Sequence, residues 1–456
     1  MRKILVIGAG KSASSLIRYL LEKSDKEQLQ VIVGDVTADL ASAKTKHHKN
    51  SKAIKLDVFD KENRQAAIKN ADIVISMLPA AYHLEVANDC LEFGKNLVTP
   101  SYISKEMEAL NAEVVAKGLV FMNEIGVDPG IDHMSAMKII DHIRESGGKM
   151  LLFESFTGGL IAPESDDNLW NYKFTWNPRN VVVAGQGTAA EFIQEGTYKY
   201  IPYQKLFRRT EILDIEGYGK FEAYANRDSL KYRKIYGLNN VLTLYRGTIR
   251  RIGFSKAWNC FVQLGMTADD YTMERTETMS YREFTNSFLA YNPNDSVELK
   301  LRHYLKIDQD DVVWDKLVEL DIFNPNKKVG IKNATPAQIL QKILTDKWDL
   351  KPNDIDMIVM LHKFGYEIDG VRKQIESRLL VKGENQTYTA MANTVGIPVG
   401  IATLKILNKI ITTPGVQLPI SKAVYEPILE ELKDYGICFS EREVPYLGYN
   451  PNVISG

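Results

Sequence analysis

The sequence has few cysteines, no long uncharged apolar run and almost no net charge. Its three cysteines, Cys90, Cys260 and Cys438, lie far apart and form neither a CxxC motif nor a zinc-ligand pattern. No uncharged apolar run reaches the length of about 18 residues that a membrane-spanning helix needs. Lys and Arg total 57 against 58 Asp and Glu, so no overall field would attract nucleic acid or an anionic membrane. These absences predict a cytoplasmic protein with reduced thiols and with no metal, nucleic-acid or membrane partner.

The chain of 456 residues is long enough for two or three domains. Short apolar runs alternate with helix-length segments up to residue 125, which is typical of a parallel, doubly wound α/β sheet. The following segments are longer and more aromatic and indicate a mixed sheet. We therefore predict an α/β protein with an N-terminal Rossmann-like domain (1–125 with about 388–416), a substrate-binding domain (126–285 with about 353–387 and 417–456) and a small helical insertion (286–352). An exposed mixed sheet in the second domain would allow a homodimer.

A glycine-rich segment follows the first predicted strand, Lys3–Ile7, and opens a predicted helix. Its pattern, Gly8-Ala-Gly10-Lys-Ser-Ala13, matches the G-x-G-x-x-G/A fingerprint in the strand-to-helix context that the fingerprint requires. Gly8 would allow the tight turn, Gly10 would let the backbone approach a pyrophosphate, and Ala13 would allow close helix packing. A glycine turn that merely joins strand to helix is the alternative. The segment predicts a dinucleotide site.

An acidic residue, Asp35, ends the second predicted strand. An acid at this place in a dinucleotide fold binds the ribose 2′-OH, and its charge would repel the 2′-phosphate of NADP. We therefore expect NAD as the cofactor in preference to NADP. Nearby Lys44, Lys46, His47 and His48 could compensate the charge, but we interpret them as a solvated loop.

Two further features concern the substrate. Asp128 lies in the loop Gly126-Val-Asp-Pro-Gly130 after the last strand of the first domain, at the mouth of the expected crevice, although turn formation is an equally ordinary role for Asp-Pro-Gly. Arg227 and Arg250 stand next to neutral donors in mixed strands. Because arginine grips carboxylates with two parallel hydrogen bonds, these residues favour a substrate with several carboxylates. A surface ion pair of Arg227 with Asp228 or another acid is the other interpretation.

Longer motifs extend along the chain. They are Val74–Pro79, Leu97–Tyr102, Asn123–His133, Thr157–Glu164, Tyr172–Trp176, Asn226–Ser229, Arg246–Arg250, Ala390–Gly396 and Tyr425–Glu430. Together they resemble the L-glutamate-forming saccharopine dehydrogenase family over essentially the whole chain. The resemblance implies oxidation of saccharopine, in which a secondary amine joins lysine and glutamate, to L-glutamate and 2-aminoadipate 6-semialdehyde. It also implies a place in lysine metabolism, on the degradative side.

Carried over by motif, the resemblance implies two sets of binding residues. Those that would line the cofactor are Gly8, Gly10, Lys11, Ser12, Ala13, Asp35, Val36, Asp57, Val58, Leu78, Thr99, Val127, Asp128, Pro129 and Thr175. Those that would hold saccharopine are Pro100, Ser101, Asp128, Arg227, Thr248, Ile249 and Arg250. The sequence departs from the family at Thr157, where a cysteine is common, so no role of that thiol carries over.

Hydrolysis of the imine that forms on oxidation needs a group that takes and returns a proton. Asp128 and Tyr102 are the catalytic candidates, with His133 a third. Two other functions stay open. One is a carboxynorspermidine or carboxyspermidine dehydrogenase, whose cationic substrates would need acids where Arg227 and Arg250 stand. The other is a non-catalytic dinucleotide-binding regulator, since a fold alone does not fix function.

Overall fold

The computed structural model describes residues 1–448, which form two compact units. The first unit comprises Met1–Lys149, Glu367–Val371 and Leu379–Arg442. The second comprises Met150–Tyr366, Arg372–Arg378 and residues 443–448. The domain limits expected from the sequence remain a prediction, and residues 449–456 of that expectation lie outside the described part.

The elements follow one another in an order that alternates strand and helix at first and becomes mixed later. As far as residue 145 they are β1 (Arg2–Ile7), α1 (Ala13–Lys23), β2 (Leu29–Asp35), α2 (Ala38–Thr45), β3 (Ser51–Lys55), α3 (Lys61–Lys69), β4 (Ile73–Ser76), α4 (His83–Glu92), β5 (Asn96–Val98), α5 (Lys105–Ala109), α6 (Asn111–Ala116), β6 (Val120–Met122) and α7 (Ile131–Glu145). Then come β7 (Lys149–Ile161), α8 (Pro178–Val182), β8 (Ala190–Gln194), β9 (Thr197–Ile201), α9 (Tyr203–Leu206), β10 (Thr210–Ile215), β11 (Gly219–Ala225), α10 (Lys231–Ile235), β12 (Thr243–Arg250), α11 (Phe254–Leu264), α12 (Tyr281–Asn286), α13 (Val297–Leu305), α14 (Val312–Glu319), α15 (Pro336–Trp348), β13 (Asp356–Ile368) and β14 (Val371–Lys382). The last are α16 (Ala390–Leu407), β15 (Gly415–Gln417), α17 (Lys422–Leu432) and β16 (Ser440–Pro445), and short 3₁₀ turns lie at Ala80–Tyr82, Pro163–Ser165 and Lys433–Tyr435.

The first unit is built on a seven-stranded sheet in the order β15-β6-β5-β4-β1-β2-β3. Every pairing in it is parallel. Its strands are nearly continuous apolar runs because helices cover both faces of such a sheet. The chain reverses direction across the sheet between β1 and β4, so the ligand crevice of this topology opens beyond the carboxyl ends of those two strands.

Helix α16 is long and apolar enough to cross a membrane by length and composition, but 72% of it is buried inside the unit. Gly396 and Gly400 lie on the face that meets α1. A Cβ at Gly396 would come within 2.6 Å of the Leu16 backbone nitrogen, and one at Gly400 within 2.4 Å of the Tyr19 ring. Glycine is needed at both positions for the two helices to approach, and we interpret α16 as a core helix.

The second unit is built on a nine-stranded mixed sheet in the order β10-β11-β12-β7-β13-β14-β16, with β8 and β9 added beside β12. β12 runs parallel to β7 and antiparallel to β11. A core of fully buried aromatic rings includes Trp170, Tyr172, Trp258 and Trp348. Helices α13 to α15 lie within residues 286–352, the segment predicted to be a helical insertion. The predicted fold class is confirmed.

Candidate active site

The glycine-rich loop joins β1 to α1 in the first unit. Gly8 has a φ of 103°, a conformation that side chains rarely adopt, and a Cβ there would approach the Met77 carbonyl oxygen to 3.0 Å. Around Gly10, in contrast, no atom of the described protein lies within 4 Å of a built Cβ, so the backbone is open to a ligand. The first turn of α1 carries no acidic residue. These features fit a pyrophosphate at the helix N-terminus, where backbone N–H groups and the helix dipole favour an anion.

Asp35 is tied to this loop through both oxygens of its carboxylate. The Ala9 backbone N–H donates to Oδ2 over 2.6 Å, and the Val36 backbone N–H donates to Oδ1 over 2.8 Å. Two hydrogen bonds from backbone amides neutralise part of the negative charge and fix its direction. The carboxylate therefore holds the glycine loop against β2, which is a role that the sequence does not reveal.

Three lysines lie close together beside the start of α1. The Lys44 ammonium donates to the Ser14 hydroxyl over 2.6 Å. Burial lowers the pKa of Lys44, and the nearby charges of Lys11 and Lys46 lower it further. Lys44 is thus half-buried and anchored, and the interpretation of this segment as a solvated loop is wrong for that residue. A cation held among other cations is stabilised by an anionic ligand.

The other cofactor candidates of the first unit follow the ends of neighbouring strands. Val58, Thr99, Val127 and Pro129 are buried, Leu78 is half-buried, and Val36 and Asp57 are exposed. The Asp57 carboxylate accepts a hydrogen bond from the Phe59 backbone over 2.9 Å. The parallel sheet brings this group to one edge, as the fold requires. Thr175 belongs to the second unit, where its buried hydroxyl has no hydrogen-bond partner among the described residues.

The Asp128 loop is closed by a very short approach between two glycines. A Cβ at Gly130, whose φ is 146°, would overlap the Gly126 carbonyl at 2.1 Å. The Tyr102 hydroxyl donates to Asp128 Oδ1 over 3.0 Å, and both side chains are half-buried. A phenol hydrogen-bonded to a carboxylate at the edge of the sheet can pass a proton to or from a ligand. The two catalytic candidates are therefore neighbours.

His133, the third candidate, lies deeper. Its Nε2 is 2.8 Å from Glu124 Oε2, and both side chains are fully buried. Glu124 also accepts a hydrogen bond from the Ile103 backbone through Oε1. The His133–Glu124 pair connects the loops that carry Tyr102 and Asp128. His133 therefore supports these loops from the interior and does not reach the edge of the sheet.

A histidine without any sequence motif, His83, joins the ends of β4 and β5. Its Nδ1 lies 2.8 Å from the Ser76 hydroxyl and its Nε2 lies 2.7 Å from the hydroxyl of Ser101, a predicted substrate residue. Neighbouring Pro100 is half-buried. His83 was missed from the sequence because its partners are brought together only by the folding of two strands.

Arg250 is the main candidate of the second unit. Its guanidinium is buried among the rings of Tyr172, Phe254 and Tyr224, at 5.1, 5.3 and 5.8 Å from their centroids. Nη1 donates to the Ile249 carbonyl, while Nε has no partner and no acid pairs with the guanidinium among the described residues.

The acid nearest in register to Arg250 is occupied elsewhere. Glu222 stands directly opposite it on β11. The Glu222 carboxylate instead accepts hydrogen bonds from the backbone N–H groups of Gly253 and Ser255 at the start of α11, over 2.9 and 2.6 Å. Buried charges in proteins are ordinarily paired. Arg250 is therefore a buried cation that lacks an acidic partner among the described residues.

Other polar groups of the second unit stand nearby. Thr248 is opposite Thr157 in the parallel register of β12 and β7, and the buried Thr157 hydroxyl has no partner among the described residues. Arg227 is exposed and has a φ of 45°. Asp228 accepts hydrogen bonds from the Leu230 and Lys231 backbone, and within the described residues it forms no salt bridge with Arg227.

Two family models match the chain in succession. The model described as saccharopine dehydrogenase NADP binding domain matches residues 4–122, and the one described as saccharopine dehydrogenase C-terminal domain matches residues 126–437. A relative from Schizosaccharomyces pombe, named saccharopine dehydrogenase [NADP(+), L-glutamate-forming], is 33% identical and covers 97% of this chain and 99% of its own length. The mitochondrial alpha-aminoadipic semialdehyde synthase of Rattus norvegicus is 32% identical over 96% of this chain, which corresponds to 47% of that protein.

A solved structure gives the same result in three dimensions. The apo histidine-tagged saccharopine dehydrogenase (L-Glu forming) from Saccharomyces cerevisiae superposes with a TM-score of 0.88 at 33% identity. The match covers 97% of this chain and 100% of that one.

These comparisons contradict the expectation of NAD as the cofactor. The matching N-terminal model describes an NADP-binding domain, and the full-length fungal relatives are named for NADP(+). The prediction from the charge of Asp35 did not take account of two structural features that the sequence does not show. Both oxygens of Asp35 are engaged by backbone amides, and Lys44 brings positive charge to the start of α1.

Proposed function

The chain belongs to the saccharopine dehydrogenase family, and on this premise we propose that it catalyses the NADP-dependent oxidation of L-saccharopine to L-glutamate and L-2-aminoadipate 6-semialdehyde. The observation that carries the proposal is the buried guanidinium of Arg250, which has no acidic partner among the described residues. Saccharopine carries carboxylates, and a buried arginine binds such groups strongly because its planar donors match their geometry. The cationic substrate of a carboxynorspermidine dehydrogenase would be repelled by the same group.

The first unit supplies the cofactor site in this proposal. The open backbone at Gly10 and the N-terminus of α1 would hold the pyrophosphate, and Lys44 with Lys11 and Lys46 would bind the 2′-phosphate. When bound, the nicotinamide supplies the hydride acceptor for the redox step. The protein's own contribution is to hold both ligands and to manage protons.

Proton transfer is assigned to Tyr102 and Asp128. The secondary amine must lose a proton, and water must then add to the imine carbon before the carbon–nitrogen bond breaks. A carboxylate that accepts a hydrogen bond from a phenol can take a proton from the amine or from water, and the phenol can return one. Within the first unit, Ser101 would orient a carboxylate of the substrate.

The test is a set of absorbance assays for reduced nicotinamide. We expect turnover with saccharopine and NADP, slower turnover with NAD, and none with carboxynorspermidine. An Arg250→Met variant should lose saccharopine oxidation while retaining NADP binding, and Arg208→Met serves as its control because Arg208 is an exposed arginine of the same unit. Turnover with carboxynorspermidine alone, or silence with every substrate, would contradict the proposal.

A further inference from the structure

His83 sits between the carboxyl ends of two adjacent parallel strands of the first unit. It begins α4, and its ring contacts hydroxyl groups at the ends of β4 and β5. Ser76 is at Nδ1, while Ser101 at 2.7 Å and Thr99 at 3.3 Å are both at Nε2. The imidazole thus connects a fully buried serine to a half-buried one that belongs to the predicted substrate site.

The ring is neutral. Only 5% of His83 is exposed, and burial lowers its pKa to about 4. Its side-chain partners are hydroxyls, and no carboxylate is among them in the described part of the chain. A neutral imidazole carries one N–H donor and one acceptor nitrogen, so the two ring nitrogens must play opposite parts.

The hydroxyl of Ser76 decides which nitrogen carries the proton. Ser76 is completely buried, and within residues 1–448 the only hydrogen-bond partner of its Oγ is His83 Nδ1. If Nδ1–H donated to Ser76, the hydroxyl hydrogen would be left buried without an acceptor, which costs free energy. Ser76 therefore donates to Nδ1, and the proton of the ring is on Nε2.

This tautomer determines the hydrogen-bonding role of Ser101. Nε2–H donates to Ser101 Oγ, with Thr99 Oγ1 as a weaker second acceptor. Because the oxygen of Ser101 accepts from the ring, its own hydrogen is left to donate to a ligand. We propose that His83 is a positioning residue that makes Ser101 a dedicated hydrogen-bond donor to a carboxylate oxygen of the substrate. The identity of that ligand rests on the proposed function, whereas the tautomer does not.

The tautomer can be measured without any substrate. Protein labelled with ¹⁵N at its seven histidines gives long-range ¹H–¹⁵N correlations that distinguish Nε2–H from Nδ1–H, and a His83→Gln sample assigns the signal by its loss. We expect the Nε2–H form at neutral pH. An Nδ1–H form would overturn the inference, whatever reaction the enzyme catalyses.

Kinetics then tests the action through Ser101. His83→Leu should lower kcat/KM for saccharopine about tenfold, as for a lost hydrogen bond to a charged group, and leave the KM for NADP unchanged. His83→Gln should recover most of this loss because its amide can donate from the place of Nε2. Exposed His142, replaced by Gln, is the matched control.

A double-mutant comparison separates positioning from simple packing. Ser101→Ala should cost about as much as His83→Leu, and the double variant should be no worse than Ser101→Ala alone. Additive losses, or a His83→Gln variant as impaired as His83→Leu, would overturn the positioning role. A wild-type enzyme that is inactive with saccharopine would refute the proposed function and leave the tautomer result standing.

Discussion

Replacing Arg250 with Met should make the second unit more stable while it removes activity. A buried ion without a counter-ion loses several kcal/mol of hydration in the folded state. One hydrogen bond to the Ile249 carbonyl and contacts with three aromatic rings offset part of the hydration free energy that Arg250 loses on burial. Each cation–π contact is worth about 0.5–2 kcal/mol. Methionine fills a similar space without this cost, so we expect the free energy of unfolding to rise by about 1–3 kcal/mol.

The same substitution should lower kcat/KM for saccharopine strongly. Charge-assisted hydrogen bonds contribute about 1.5–3 kcal/mol each, so losing a bidentate pair predicts a decrease of at least 100-fold. A gain in stability together with a loss of activity is expected when a buried charge serves ligand binding and does not stabilise the fold. If Arg250 instead stabilised the fold, its replacement would lower both the free energy of unfolding and kcat/KM.

Tryptophan fluorescence during urea unfolding is a suitable assay for this prediction. All five tryptophans, Trp170, Trp176, Trp258, Trp314 and Trp348, lie in the second unit, so the signal reports on the unit that contains the substitution. Saccharopine should shift the wild-type transition to higher urea and leave that of the variant unchanged. If the variant unfolds at lower urea than both the wild type and Arg208→Met, the account of Arg250 as an uncompensated cation is refuted.

Three further predictions concern other groups. Lys44→Ala should raise the KM for NADP about tenfold and leave that for NAD unchanged, since about 1.4 kcal/mol of charge interaction with the 2′-phosphate is lost; equal effects on both cofactors in steady-state assays would exclude this role. Tyr102→Phe, which removes the hydroxyl that donates to Asp128, should lower kcat about 100-fold without changing NADP binding by fluorescence titration. Burial and the charge of Glu154 raise the pKa of Glu211 from 4.5 to about 7. Because the pKa is higher in the folded protein, the contribution of Glu211 to the free energy of unfolding is full below pH 4.5 and is lost as the pH rises through 7. Glu211→Gln should therefore reduce the fall in the free energy of unfolding over that range by up to about 3 kcal/mol, as measured by urea titrations at each pH.

Much of the first unit follows from local sequence. The strand Arg2–Ile7, the turn at Gly8 and the helix from Ala13 are specified by an apolar run, a glycine and a helical pattern within about 25 residues, and all were predictable. Asp35 shows the limit of such patterns. Its place at the end of β2 was predictable, but its bond to the Ala9 backbone depends on how two loops meet, and the choice of cofactor inferred from its charge was wrong.

Sequence patterns do not show the roles of residues whose partners lie on other strands. His83 matters because Ser76 and Ser101 reach it from two different strands, and neither spacing corresponds to a known motif. For Arg250 the sequence indicated an arginine beside neutral donors, but not whether an acid pairs with it. That question is decided by the direction of Glu222, which only the structure gives.

In both units, a carboxylate near a candidate binding site is hydrogen-bonded by backbone N–H groups. Asp35 and Glu222 each stand near a cationic group or an anion site, and each accepts two hydrogen bonds from backbone N–H groups. Backbone amides carry no net charge, so they satisfy a carboxylate without consuming a lysine or an arginine. In the proposed function, Lys44 and Arg250 would consequently keep their charge for a ligand, a phosphate in one unit and a carboxylate in the other. A count of acids and bases in the sequence would cancel these charges, whereas in the structure backbone amides satisfy both carboxylates.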